Sequence, residues 1–131
     1  MGAVTARLGL LVALVAALAA CGAGEAAPAD SGVSGRVLIG PMCPVEQVGV
    51  PCPDKPFQAY INVRREGSGK TAATVRSGKD GRFRVNLAPG RYVLVPNAPD
   101  PGAPPQAAPV RVRVRAHGFT RVTITYDSGI R

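Results

Sequence analysis

The stretch SGKDGRFRVNLAPGRYVLVP, residues 77–96, carries two strand patterns and the turn that joins them. Phe83, Val85 and Leu87 alternate with Arg82, Arg84 and Asn86, the period of two that marks a strand with one buried face. The alternation resumes around Tyr92 and Leu94 after Pro89-Gly90. Asp80-Gly81 precedes both as a tight-turn pair, its glycine free to take a positive φ at no steric cost. The segment therefore predicts two strands, residues 81–87 and 90–96, on either side of a Pro-Gly turn.

The same period recurs on both sides of this hairpin. Upstream, residues 33–39 place Val33, Val37 and Ile39 on one face, and residues 57–65 place Phe57, Ala59, Ile61 and Val63 inward. Residues 71–77 bring Thr71, Ala73 and Val75 together. Downstream, residues 110–116 set Val110, Val112 and Val114 against Arg111, Arg113 and Arg115, and residues 119–127 carry Val122, Ile124 and Tyr126 on one side. No helical stripe interrupts the series. Seven alternating runs punctuated by Gly, Pro and Asp predict an all-β fold, a seven-stranded antiparallel β-sandwich. Alternation with one polar face argues against a parallel sheet covered on both sides.

The run Asp80-Gly-x-Phe-x-Val-x-Leu-x-Pro-Gly-x-Tyr92 resembles the transthyretin-like, carboxypeptidase regulatory-like family of β-sandwich modules. The motif covers residues 80–92, and the strand pattern extends the likeness over 33–127. The resemblance implies an immunoglobulin-like or transthyretin-like sandwich. It implies no particular activity, because such folds host accessory domains, adhesin repeats and many other roles.

The N-terminal end gives the chain an address. Residues 1–20 read as a cleaved secretory leader: Arg7 is followed by an apolar run from Leu8 to Ala20. As a helix that run would span about 20 Å, short of the about 20 residues a membrane span needs. Leu18-Ala19-Ala20-Cys21 resembles the lipobox of bacterial lipoproteins. That resemblance implies that the leader is cut before Cys21 and that the Cys21 thiol carries a diacylglycerol anchor. Residues 21–32, small and polar and rich in Gly and Ala, read as the acylated cysteine and a flexible tether with a reach of about 18 Å. Residues 33–131 form the sandwich domain, and 131 residues leave room for only one.

Cys43 and Cys52 stand in a Pro-rich connection, GPMCPVEQVGVPCPDKP, residues 40–56. In a chain that leaves the cytoplasm they are expected to form a disulfide. A zinc site would need two more ligands at suitable spacing, and His117 is the chain's single histidine. The spacing is not that of a redox C-x-x-C pair. The stapled loop could present Val45, Val48 and Val50 for recognition.

The formal charge is +8, and +7 once Arg7 leaves with the leader. Arg111, Arg113 and Arg115 share one face of a strand, with Arg121 expected beside them on the next. This row is the candidate anion-binding face; its plainer reading is a solvated outer surface that protects a sheet edge. No aromatic residues interleave with the arginines, so nucleic acid is not expected. No serine, histidine and acid fall in a nucleophile-elbow context, and no carboxylate pair or phosphate loop is present, so no catalytic residue, metal or cofactor is expected.

The sequence thus predicts a non-catalytic, lipid-anchored module of the cell envelope with a structural or accessory role. Its partners would be the membrane, through the N-terminal lipid, and an anionic wall polymer or another envelope protein. Two other readings stand beside it: a module that binds anionic polymer or carbohydrate, and a small transthyretin-like hydrolase. The last is disfavoured because such hydrolases use several histidines.

Overall fold

Half-buried strands must cover their apolar faces and leave few edges unpaired, and these two demands organise the chain. The computed structural model describes Gly2 and residues 30–131. The rest of the expected leader, Cys21 and residues 22–29 of the expected tether lie outside the described residues. In chain order the strands are β1 (Gly32–Gly40), β2 (Lys55–Pro56), β3 (Tyr60–Arg65), β4 (Thr71–Arg76), β5 (Arg82–Asn86), β6 (Gly90–Pro96), β7 (Val110–Val114) and β8 (Phe119–Asp127). Among the described residues there is no helix.

The strands form two four-stranded sheets. In the first, β8 lies along all of β1 on one edge. The other edge of β1 is shared: β5 pairs with Gly32–Arg36 and β2 with Leu38–Ile39. The second sheet runs β4-β3-β6-β7, antiparallel throughout. Val33, Val37, Phe83, Leu87, Ile124 and Tyr126 from the first sheet are buried against Ile61, Val63, Tyr92, Leu94, Val112 and Val114 from the second. Each such side chain contributes about 1.5–3 kcal/mol on leaving water, so this shared layer is the main source of stability.

Four features depart from the sequence reading. There are eight strands, because the end of the expected connection 40–56 pairs with β1 before the expected strand 57–65 enters the other sheet. Lys55–Pro56 pair with β1, the chain crosses between the sheets over Phe57–Ala59, and Tyr60 enters the second sheet opposite Arg76. Such sheet-switching corners are common in sandwiches. Ser77 holds the corner: its hydroxyl donates to the Phe57 carbonyl at 2.8 Å and accepts the Ala59 N–H at 2.8 Å.

Second, β1 and β8 pair in parallel over nine positions, from Gly32↔Phe119 to Gly40↔Asp127, so the sheets are antiparallel in every pair but this one. Parallel neighbours need a long connection, and here the whole domain supplies it. Third, Thr71 is exposed instead of sharing a face with Ala73 and Val75. A bulge between Val63 and Arg64 inserts Ala72 and reverses the phase of the strand, as bulges do.

Fourth, the first strand starts earlier than residue 33. Gly32 belongs to β1, and the buried Ser31 hydroxyl donates to the Leu87 carbonyl at 2.7 Å.

The parallel pair gives the domain a direction. The chain enters at one end, the near pole, which also holds the turns at 66–70, 87–89 and 115–118. At the opposite, far pole lie the loops 41–54 and 97–109 and the C-terminal residues. Ser128 N–H meets the Gly40 carbonyl there at 2.9 Å.

Candidate binding surfaces

The far-pole loop is built from its cysteines outward. Cys43 and Cys52 are disulfide-bonded, with Cα atoms 6.2 Å apart. Between them Gln47 and Val50 form a bridge, the Val50 N–H donating to the Gln47 carbonyl at 3.0 Å. Gly49 takes φ 80° at the corner, a conformation open to glycine at little cost. The turn lifts the valines off the domain: Val45, Val48 and Val50 are 74, 105 and 59 % exposed. An open depression of about 440 Å³ lies beside them, lined by Glu46, Gln47 and the segment Gly49–Pro53.

Neighbouring far-pole segments are fastened separately. Gln106 and Asp127 exchange backbone hydrogen bonds at 3.2 and 2.6 Å. The Asp127 carboxylate accepts from Arg131 at 3.1 and 2.7 Å and from the Gly129 N–H at 2.9 Å. The Arg131 guanidinium, then the Gly129 amide, holds the Asp127 carboxyl down at about 2. Tyr126 donates to the Asn97 carbonyl at 2.7 Å, anchoring the start of the 97–109 loop, and its ring centroid lies 4.8 Å from that of Phe57. Burial pushes the Tyr126 phenol up to about 12.

The near pole is tied by shorter links. Tyr92, fully buried, donates to the Ala88 carbonyl at 2.6 Å and so closes the Pro89-Gly90 turn on itself. This accounts for a tyrosine two residues past the glycine in the sequence motif. His117, at φ 59°, pairs through Nδ1 with Asp30 at 2.5 Å, a turn contact with both side chains exposed. Among the described residues no three of His, Cys, Asp and Glu come together.

The four arginines of the expected row are divided between the sheets. Arg111 and Arg113 are exposed on β7, the edge strand of the second sheet, and Arg115 follows it. Arg113 and Arg115 flank a depression of about 460 Å³ with Arg91, while Arg111 comes within 4.0 Å of Glu66. Alternating cations on such an edge also discourage pairing with another chain.

Arg121 is not beside them. It lies on β8, on the outer face of the first sheet, where Arg36, Arg82 and Arg84 surround an open depression of about 820 Å³ with it. The last three were not singled out by sequence reasoning. Their signal was present in the outward phase of Arg82 and Arg84, but their convergence follows only from β1 lying between β5 and β8.

No protein-family model matches the chain, and no curated protein does. The fold has solved counterparts. It is similar to GBS52, the minor pilin of the Gram-positive pathogen Streptococcus agalactiae, with TM-score 0.56 and 15% identity over 76% of this chain and 44% of that one. It is also similar to the Bacillus anthracis TIE protein, with TM-score 0.51 and 13% identity over 75% of this chain and 17% of that one. A streptococcal ancillary pilin aligns with TM-score 0.44 at 14% identity, over 76% of this chain and 33% of that one. The chain thus spans less than half the length of each of these proteins, and at such identities the likeness is one of fold.

Proposed function

We propose that the protein is an exported, non-catalytic structural module of the bacterial cell surface, fastened through a lipid on Cys21. The fold shared with a minor pilin supports a surface role, and Leu18-Ala19-Ala20-Cys21 supports the anchor. The observation that carries the reading is the parallel β1–β8 pair. In that ladder β1 carries the chain in at one pole and out to the disulfide loop at the other, so a molecule tethered by its first residues holds Val45, Val48 and Val50 away from the bilayer. The stapled loop is the surface this module offers to another envelope protein. Hydrolysis is not part of this reading, since the chain has one histidine where the hydrolases of this resemblance use several.

Metabolic labelling with a clickable fatty acid, comparing wild type with Cys21→Ser in the producing cells, tests the anchor. The wild-type protein is expected to carry label and remain with the membrane fraction. The variant should lose both. Unlabelled wild-type protein that washes off in plain buffer would overturn the lipid assignment.

A further inference from the structure

We infer that the outer face of the first sheet is a binding site for a linear phosphate-bearing polymer, held by Arg36, Arg82, Arg84 and Arg121. The register fixes their arrangement. Arg84, Ser34 and Arg121 lie in one row across β5, β1 and β8, and Arg82, Arg36 and Thr123 lie in the next. Rows across a sheet advance by about 4.8 Å per strand, and alternate residues along a strand by about 6.7 Å. Flexible arginine stems on this grid match charges that recur every few ångströms along a polymer.

The charge on this face is uncompensated. Among the described residues the ion pairs are Arg111–Glu66, His117–Asp30 and Arg131–Asp127, so no carboxylate neutralises any of the four. Arg36 and Arg82 oppose each other directly. Like charges in that position destabilise a sheet, so the fold carries a local cost that a bound anion would relieve. Arg84 is partly fixed, its guanidinium carbon 3.7 Å from the centre of the Phe119 ring. The Ser34 and Thr123 hydroxyls border the same depression and add neutral donors.

The chemistry points to a polymer and not to a single anion or a bilayer. Each guanidinium is solvent-exposed, where one ion pair contributes only about 0–1 kcal/mol, so useful affinity requires several charges linked in one ligand. Arginine is suited to phosphate through its planar fork of donors. None of the large exposed hydrophobic side chains, Val45, Val48, Val50 and Tyr60, lies on this face to enter lipid. The Phe119 ring beside this face is already stacked by the site's own Arg84.

The test uses the purified protein with long-chain polyphosphate as the probe, in titrations at rising salt. Neutralising four phosphates predicts a loss of affinity on the order of a hundredfold between about 50 and 200 mM salt. The triple variant Arg36→Gln/Arg82→Gln/Arg121→Gln should bind at least about tenfold more weakly, while melting no lower than wild type because opposed charges have been removed. Arg111→Gln/Arg113→Gln/Arg115→Gln removes the same net charge and should bind within about threefold of wild type. Equal losses in the two triples would reduce the effect to net charge and overturn the site. So would absent polyphosphate binding, orthophosphate binding as tightly as the polymer, or a preference for phosphatidylglycerol vesicles over the polymer.

Discussion

The two poles of the sandwich are held in different ways. At the near pole turns are short and two links come from buried side chains, Ser31 on Leu87 and Tyr92 on Ala88, beside the exposed His117–Asp30 pair. At the far pole long proline-rich loops add covalent and exposed links to the bond from buried Tyr126 to Asn97: the Cys43–Cys52 disulfide, the Gln106–Asp127 bridge and the Asp127–Arg131 pair. At the near pole Ser31 and Leu87 are packed into the core, whereas the far-pole loops 41–54 and 97–109 run mostly outside it and can vary at less cost. The loop proposed above as a contact surface is thus held apart from the core, its valines exposed.

The sharpest way to break this contrast is a pair of glycine substitutions. A methyl at Gly32 would run into the Val85 carbonyl and the backbone at Asn86 and Leu87, none of which can swing aside. Gly32→Ala should therefore cost about 3 kcal/mol in urea unfolding, in the range of overpacked interiors. Gly102→Ala meets nothing within 4 Å and bears only the strain of φ 86°, so about 1 kcal/mol is expected. Equal losses at both positions would erase the distinction between the poles.

The covalent link comes next. Replacing Cys43 and Cys52 by serine opens a loop of roughly ten residues and should cost about 2.7 kcal/mol on the chain-entropy account. Protease cleavage between them should become fast only in the variant, while the near-pole amides keep their hydrogen-exchange protection. Loss of that protection would show that the loop supports the whole domain.

The third test is pH. Because the Tyr126 phenol ionises at about 12 in the fold against a usual value of 10.0, its contribution is complete below pH 10 and is lost as pH climbs through about 12. Stability should fall by up to about 1.4 kcal/mol per pH unit across that window. In Tyr126→Phe the slope should flatten, which separates this phenol from other groups that titrate in base.

What the sequence made legible was whatever a period of two encodes. The inward faces of residues 33–39, 81–87, 90–96, 110–116 and 119–127 are the inward faces of the structure, with Val33, Val37, Phe83, Leu94, Val112 and Ile124 in the core. The cysteine pairing was readable as well, since Cys43 and Cys52 stand nine positions apart in one connection between strands. Pairing partners were not readable. Alternation is the same for parallel and antiparallel neighbours, so nothing in residues 33–39 or 119–127 announces that they lie side by side and run together. That gap is why Arg121 was assigned to the wrong row and why Arg36, Arg82 and Arg84 went unnoticed. The bulge at Ala72 and the corner at Phe57–Ala59 were hidden for a related reason: both change phase or sheet inside a run whose composition stays uniform.

The β1–β8 ladder has a mechanical consequence. Its two strands leave the domain in opposite directions, one toward the N-terminal residues and the other toward the C-terminal ones. A pull between the chain's two ends acts along the ladder, loading its hydrogen bonds in shear, all at once. Strands that leave from the same end would peel apart one bond at a time. A tensile load on this module would thus be borne first by its longest ladder.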